Sequence, residues 1–211
     1  MSKKSALALD EQLLGIKLSG TTPRLLLHCC CAPCASYVLE YLSPFFDITA
    51  LYYNPNIQPR EEYDKRASEL WKLLELSRYQ NKVDMIVGEY DTGSYDALTA
   101  PFLDEPEGGG RCAVCYDYRL EETAKYAKAN GYDYFTTTLS VSPYKNASRL
   151  NEIGNRLAGE YEVSFLSSDF KKHDGYKRSI ELSKLYGLYR QSYCGCVRSA
   201  SGRVYVRNSN S

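Results

Sequence analysis

Arg24-Leu25-Leu26-Leu27-His28 is a short apolar run that ends at Cys29-Cys30-Cys31-Ala32-Pro33-Cys34. Such a run is typical of a strand buried on both faces of a parallel sheet. Proline fits the first turn of a helix, so Pro33 predicts a helix over 34–42. A buried strand that leads directly into a helix is the repeating unit of α/β folds.

The alternation of strand and helix continues along the rest of the chain. Further strands are predicted over 47–53, 83–87, 132–139 and 161–166, and further helices over 60–78, 115–130, 146–158 and 174–186. This order predicts an α/β, Rossmann-like three-layer domain with a mainly parallel sheet of about five strands and a helical C-terminal part. We expect an N-terminal extension over 1–23, a single α/β metalloenzyme domain over 24–200 and a polar C-terminal tail over 201–211.

Cysteine is the most informative residue type in this sequence. Seven of the eight cysteines form three groups, namely Cys30-Cys31-Ala32-Pro33-Cys34, Cys112-Ala113-Val114-Cys115 and Cys194-Gly195-Cys196. The eighth, Cys29, precedes the first group and is interpreted as a buried small hydrophobe. The first group follows the first strand, where ligands of parallel sheets bind. Thiols spaced one to three residues apart can point at one centre. The three groups therefore predict a shared thiolate site.

The number of thiols bears on which metal they would bind. Four ligands complete a tetrahedral zinc site, and seven thiols exceed that number. An iron–sulfur cluster takes four cysteines, which leaves thiols for a second metal or for a redox-active pair. Spacing favours an iron–sulfur or multi-metal site, with structural zinc and separate thiol chemistry as the open alternatives.

Composition describes an ordinary globular chain of 211 residues with 44% hydrophobic and 25% charged residues. The sequence has neither a secretory signal pattern nor an apolar run long enough for a bilayer, so we expect a cytoplasmic protein without a membrane partner. The formal net charge is zero, which neither predicts nor excludes nucleic acid. Basic residues of the C-terminal third form either a phosphate-binding patch or a solvated helix face and tail: Lys171, Lys172, Lys177, Arg178, Arg190, Arg198, Arg203 and Arg207.

Five motifs in this sequence are those of one known family. They are Leu27-His28-Cys29-Cys30-Cys31-Ala32-Pro33-Cys34; Tyr53-Asn54-Pro55-Asn56-Ile57 with Glu62-Tyr63 and Arg66; Gly109-Gly110-Arg111-Cys112-Ala113-Val114-Cys115-Tyr116 with Arg119-Leu120; Thr136-Thr137-Thr138-Leu139-Ser140-Val141-Ser142-Pro143-Tyr144-Lys145; and Tyr189-Arg190-Gln191-Ser192-Tyr193-Cys194-Gly195-Cys196. Over residues 24–200 the chain resembles the epoxyqueuosine reductases of the QueH family.

The resemblance implies a reaction and its cofactors. Members of the family remove the epoxide oxygen of epoxyqueuosine at the wobble position of tRNA, in a two-electron step that gives queuosine. The implied cofactors are a [4Fe–4S] cluster and an adjacent iron or other metal ion, or a redox-active thiol pair, without cobalamin. The implied partners are tRNA carrying epoxyqueuosine and an electron donor.

The resemblance also implies a division of the thiols. Cys30, Cys31, Cys112 and Cys115 would bind the [4Fe–4S] cluster. Cys194 and Cys196, together with Cys34, would hold the second metal, or Cys194 and Cys196 would cycle as a redox-active pair.

Candidates for the other functions follow from position and residue type. The proton would come from Tyr53, Tyr144, Lys145 or His28, although His28 at the end of an apolar strand is equally interpreted as structural. The modified base would contact Asn54, Asn56, Glu62 and Arg66, which otherwise form a polar cluster with solvated ion pairs. Phosphate contacts are predicted at Lys171, Lys172, Arg178 and Arg190.

Two other classes of function stay open at this point. One is a non-catalytic, metal-stabilised tRNA-binding module. The other is a thiol–disulfide oxidoreductase that uses Cys194 and Cys196.

Overall fold

The computed structural model describes residues 2–196, with the side chains of residues 2–8 left aside. The predicted tail over 201–211 and the basic residues Arg198, Arg203 and Arg207 lie outside the described residues.

A single five-stranded sheet forms the centre of the described chain. Its strands are β1 (Arg24–His28), β2 (Asp47–Tyr52), β3 (Val83–Val87), β4 (Tyr134–Thr137) and β5 (Ser164–Phe165). All neighbouring pairs are parallel, in the order β3-β2-β1-β4-β5. Leu25, Leu26 and Leu27 of β1 are fully buried, because helices cover both faces of a parallel sheet. The predicted α/β fold with a parallel sheet is confirmed.

Helices lie on both faces of the sheet and make three layers. In chain order they are α1 (Ser2–Ser19), α2 (Ala32–Leu42), α3 (Arg60–Leu76), α4 (Thr92–Thr99), α5 (Gly110–Ala129), α6 (Ala147–Tyr161) and α7 (Gly175–Leu185), with 3₁₀ turns at Ala100–Phe102 and Thr138–Val141. One core cluster unites apolar residues of α1, α2, α3 and α7 with one face of the sheet. A second cluster joins α5 and α6 to the opposite face.

Several boundaries differ from the predicted ones. The helix predicted over 115–130 begins at Gly110, where the Glu105 carboxylate accepts the backbone N–H of Gly110. Both Cys112 and Cys115 therefore lie on the helix. The strand predicted over 132–139 is shorter, because the chain turns at Thr138 and Thr137 Oγ1 accepts the Leu139 N–H at 3.1 Å. The strand predicted over 161–166 is reduced to β5.

Two helices were not predicted. α4 is capped by Asp91, whose side chain accepts the Ser94 N–H at 3.0 Å. α1 lies within the predicted extension over 1–23, and its Leu9, Leu13 and Ile16 are buried in the first core cluster. Within residues 2–196, no helix combines the length and the apolar character that crossing a bilayer demands.

Candidate metal and active site

The first cysteine group lies between β1 and α2, at the carboxyl edge of the sheet. The sulfur atoms of Cys30, Cys31 and Cys34 all lie within 4.8 Å of one another, and those of Cys30 and Cys31 are 3.8 Å apart. The backbone of Cys31 is extended, and this residue occupies the N-cap position of α2. Cys34 therefore follows one turn later on the same side of the helix. The end of a strand and the start of a helix thus bring three thiols to one point.

The three thiols favour loss of a proton. Hydrogen bonds from the thiols of Cys30 and Cys34 lower the pKa of Cys31 well below its ordinary value. Hydrogen bonds with Cys30 and Cys31 raise the pKa of Cys34 well above its ordinary value. Cys31 is therefore the thiol of this group that loses its proton most readily. Thiolates are the form in which cysteine binds metal, so this group fits a thiophilic metal centre.

The second cysteine group lies on the first two turns of α5. The Cys112 sulfur accepts the backbone N–H of Gly108 at 3.2 Å. Cys115 is buried, and the Arg119 guanidinium donates to its sulfur at 3.8 Å from the next turn of the helix. Burial raises the pKa of Cys115, and Arg119 opposes that rise. The helix thus pairs a buried thiol with a buried cation.

The third cysteine group approaches from the C-terminal segment. The ammonium of Lys145 donates to the sulfur of Cys194 at 3.3 Å. Burial alone would raise the pKa of Cys194, but the charges of Lys145 and Arg119 outweigh it and lower that pKa. The hydroxyl of Tyr95 donates to the sulfur of Cys196 at 4.0 Å. Both sulfurs therefore have hydrogen-bond donors from the body of the domain.

Arg119 connects all three cysteine groups. Its side chain is buried, and thiolates of Cys115, Cys30 and Cys194 raise its pKa against the opposing effect of burial. Tyr95 makes a second link, because its hydroxyl interacts with both Cys115 and Cys196. Residues from three remote stretches of the chain therefore lie in one region.

A cavity opens in this region at the carboxyl ends of β1, β2 and β4. Four cysteines contribute to its wall, namely Cys30, Cys31, Cys34 and Cys194. Charged side chains also line it, namely Arg66, Glu107, Arg119, Lys145 and Arg190. Tyr144 lies in the wall with 58% of its surface exposed, and Tyr176 with 36%. A small molecule that entered here would meet thiols at the base and two tyrosines beside solvent.

The structure gives His28 and Tyr53 roles in packing. His28 is fully buried, with Nδ1 2.8 Å from Thr137 Oγ1 and Nε2 3.1 Å from the Tyr53 carbonyl oxygen. Burial, with Arg119, lowers the pKa of His28 to about 3, so the ring is neutral. The Tyr53 ring belongs to the second core cluster and packs 6.1 Å from the Tyr118 ring. Neither residue lines the cavity described above.

The residues predicted to contact the modified base lie in different places: some bond to other parts of the protein, and one lines the cavity. Asn54 donates to the Cys29 carbonyl at 2.9 Å and accepts from Arg119. Asn56 is 1% exposed, and its Oδ1 has no hydrogen-bond partner among the described residues. Glu62 binds Arg66 at 2.7 Å. Of these residues only Arg66 lines the cavity, where its Nη1 donates to the Cys194 carbonyl at 3.0 Å.

The predicted phosphate contacts are also divided. Lys171 Nζ donates to the carbonyl oxygens of Ser140 and Lys145 at 3.2 and 3.4 Å. Arg178 pairs on the surface with Glu40 of α2 at 3.1 Å and with Glu181 of its own helix α7 at 3.3 Å.

Lys172 is half-buried, next to Lys171 in the chain. Arg190 lines the cavity, and its Nη1 donates to Ser183 Oγ at 3.1 Å. The four residues therefore do not form one open patch: Arg190 belongs to the cavity, and Arg178 to a surface ion pair.

Sequence reasoning assigned no role to Arg119, Tyr95, Glu107 or Gln191. Glu107 Oε1 lies 3.5 Å from Lys145 Nζ, and Gln191 lines the cavity. Arg119 stands one helical turn after Cys115, and that spacing is the one signal in the sequence that pairs it with a thiol.

The parallel sheet and the thiol-lined cavity define an α/β protein with a group of cysteines, at the ends of its strands, that could bind a metal. Residues 25–202 match the model of the family described as "Epoxyqueuosine reductase QueH". Several relatives carry that same name, and three of them are described here. The Streptococcus pyogenes protein is 43% identical over 180 residues, which are 84% of this chain and 71% of the relative.

The Acinetobacter baylyi protein is 37% identical over 193 residues, which are 90% of this chain and 87% of the relative. The Thermotoga maritima protein is 38% identical over 181 residues, or 82% and 88% of the two chains. This chain therefore belongs to the QueH family of epoxyqueuosine reductases.

Proposed function

We propose that this protein reduces epoxyqueuosine in the wobble position of tRNA to queuosine, as an iron–sulfur oxidoreductase of queuosine biosynthesis. The observation that carries the proposal is the meeting of three remote cysteine groups around Arg119 beside one cavity. Membership of the QueH family supplies the substrate. Removal of the epoxide oxygen takes two electrons and two protons, and it yields water and a carbon–carbon double bond.

The thiols suit the cofactor that this reaction calls for. Cys30 and Cys31, together with Cys112 and Cys115, would hold a [4Fe–4S] cluster. The charge of Arg119, which acts on both Cys30 and Cys115, supports this assignment. Such a cluster supplies single electrons. Arg119 would offset part of the negative charge of the surrounding thiolates.

The remaining thiols would complete the two-electron supply, because a dithiol releases two electrons on oxidation to a disulfide and an iron ion releases one. Cys194 and Cys196 would form a redox-active pair, or with Cys34 they would hold an adjacent iron ion. Lys145 supports the first role, because it favours the thiolate of Cys194 and the thiolate is the reactive form. Cys34 lies within 4.8 Å of both Cys30 and Cys31, so it borders the cluster ligands as well. An external electron donor would restore the reduced state after each turnover.

Lys145 is the proposed proton donor at the cavity. Burial would lower its pKa, but the negative charge of Cys194, followed by Tyr116 and Glu107, raises it above the ordinary value. The ammonium therefore stays charged, and it can donate a hydrogen bond to an oxygen that gains negative charge. Glu107, 3.5 Å away, orients it. Tyr144 is the second candidate, since it lines the cavity beside solvent.

The modified nucleotide would enter with its base outside the stack, as enzymes that act on bases require. Tyr144 and Tyr176 at the cavity wall are suited to stack on it or on a neighbouring base. Gln191 also lines the cavity, and its Oε1 has no partner among the described residues. It would accept a hydrogen bond from an N–H of the base. Arg190 and Lys172 would bind the phosphates of the tRNA.

The direct test is turnover by the anaerobically purified protein. Reduced protein is mixed with tRNA that carries epoxyqueuosine, and the tRNA is digested to nucleosides for mass spectrometry. We expect conversion to queuosine, with the loss of one oxygen atom. Zinc without iron and no conversion would instead indicate a metal-stabilised tRNA-binding module. Disulfide reduction of a general protein substrate that persists in Cys112→Ala and Cys115→Ala would indicate a thiol–disulfide oxidoreductase.

A further inference from the structure

One face of α3 holds the C-terminal segment that carries Cys194 and Cys196. Five charged residues three or four positions apart make this face, namely Glu62, Lys65, Arg66, Glu69 and Lys72. Lys72 Nζ donates to the Gly187 carbonyl at 2.7 Å, and Glu69 accepts the Tyr189 N–H at 2.7 Å. The Lys65 ammonium lies 3.6 Å from the centre of the Tyr189 ring. The segment is thus bound residue by residue along the helix.

Arg66 stands at the cysteine end of this face. Its Nη1 donates to the Cys194 carbonyl at 3.0 Å and its Nη2 to the Tyr193 carbonyl at 3.4 Å. Its Nε donates to Glu62 at 2.7 Å, and the Tyr189 hydroxyl donates to the same carboxylate at 3.3 Å. Arg66 is 2% exposed. Its donors are directed into the protein rather than at a bound base.

Gly195 is fixed at the same place. Its φ of +105° suits glycine, and a Cβ there would lie 2.8 Å from Ile57 Cγ1 and 3.1 Å from Arg66 Nη1. Its carbonyl accepts the Gln58 N–H at 3.1 Å. The backbone between Cys194 and Cys196 therefore has direct contacts with Arg66, Ile57 and Gln58.

We infer that Arg66 is a positioning residue for the Cys194–Cys196 pair, an inference that rests on the proposed function. By holding the carbonyls of Tyr193 and Cys194, Arg66 keeps the Cys194 sulfur at Lys145 and beside the cavity. A side chain that acts through the backbone of a reactive cysteine affects the reaction rate and leaves the binding of tRNA unchanged. This replaces the role in base recognition that the sequence suggested for Arg66.

The test compares Arg66→Met, Arg66→Lys and Gly195→Ala with Lys72→Met, which removes a contact to the same segment far from the cysteines. Amide hydrogen exchange is followed at Gln58 and over 187–196 in the anaerobically purified protein. Steady-state kinetics with epoxyqueuosine-tRNA give kcat and KM. Iron is measured in each variant. Arg66→Lys keeps the charge, but one ammonium cannot span both carbonyls and Glu62.

We expect Arg66→Met and Gly195→Ala to speed exchange at Gln58 by about tenfold, the effect of losing one charged hydrogen bond. Their kcat falls by roughly tenfold to a hundredfold, as for a small misplacement of a reacting group. In these variants KM for tRNA and the iron content stay as in the parent. The Lys72→Met control gives the same values as the parent. Arg66→Lys lies between Arg66→Met and the parent.

Two results would overturn the inference. One is a higher KM for tRNA with unchanged kcat and unchanged exchange, which would make Arg66 a substrate contact. The other is unchanged exchange in a Gly195→Ala protein that retains its iron. If the parent forms no queuosine, the proposed function fails, and the exchange data still decide whether Arg66 tethers the segment.

Discussion

The ammonium of Lys145 lies 3.3 Å from the sulfur of Cys194, across a gap of 49 residues in the sequence. Burial raises the pKa of Cys194, and Lys145 is the first of the charges that outweigh it and bring that pKa below its ordinary value. A lowered pKa leaves more thiolate near neutral pH, and the thiolate is the species that reacts. The lysine thus favours the reactive form of Cys194.

Lys145→Met should therefore slow the alkylation of Cys194 at neutral pH. With the charge removed, Arg119 is the remaining cation that opposes the effect of burial, and the midpoint of the alkylation rate against pH moves upward. Lys145→Arg, which keeps the charge, should leave the midpoint close to that of the parent. Mass spectrometry of reduced protein alkylated over a range of pH measures this. An unchanged midpoint in Lys145→Met would mean that the contact has no electrostatic effect.

Two glycines of α6 offer a matched test of the packing against β5. A Cβ at Gly154 would overlap the ring of Phe165, whereas a Cβ at Gly159 would meet nothing within 4 Å. We expect Gly154→Ala to lower the free energy of unfolding by about 1–3 kcal/mol, the usual effect of overpacking. Gly159→Ala should raise it by about 0.5–1 kcal/mol, because alanine is the better helix former.

Urea denaturation of both variants checks this prediction. A Gly154→Ala protein that is as stable as Gly159→Ala would show that β5 and α6 are not in the close contact described here.

The basic residues near the cavity predict a specific dependence of tRNA binding on salt. Lys172 follows Lys171, whose ammonium holds the carbonyl of Lys145 beside the cavity. We expect Lys172→Met to weaken tRNA binding and to reduce the slope of log K against log salt by about one, the effect of losing one phosphate contact. Arg178→Met is the control, since Arg178 pairs with Glu40 and Glu181 on the surface.

Filter binding or fluorescence anisotropy at several salt concentrations measures both variants. Equal slopes for Lys172→Met and the parent would remove Lys172 from the tRNA interface.

Much of the fold follows from local pattern. β1 is an uninterrupted apolar run that stops at the cysteines, and both the strand and the turn into α2 are as predicted. The predicted start of α5 at residue 115 was wrong. Gly108-Gly109-Gly110 is typical of a loop, but the helix begins at Gly110, where the Glu105 carboxylate accepts the backbone N–H. β5 is short because only Ser164 and Phe165 pair with β4.

Of the candidate site, only the thiols could be predicted from the sequence. The place of the first cysteine group can be inferred from its position after β1 of a parallel sheet, and the convergence of the other two groups is predicted from the close spacing of their thiols. The role of Arg66 cannot, because its partners at Tyr193 and Cys194 are 127 and 128 residues away. Arg119 likewise donates to the side chain of Asn54, which is 65 residues away in the sequence. Tertiary packing decides whether such polar residues face a ligand or another part of the protein.

In the proposed function, thiols from remote stretches of the chain bind one iron–sulfur cluster. The most direct measurement is the iron and acid-labile sulfide content, with absorption and electron paramagnetic resonance spectra, of anaerobically purified parent, Cys112→Ala and Cys29→Ala. We predict about four iron and four sulfide per chain in the cluster of the parent and of Cys29→Ala, because Cys29 is buried in the core and donates to the Leu27 carbonyl. Cys112→Ala should lose the cluster. Full iron, sulfide and spectra in Cys112→Ala would contradict the claim.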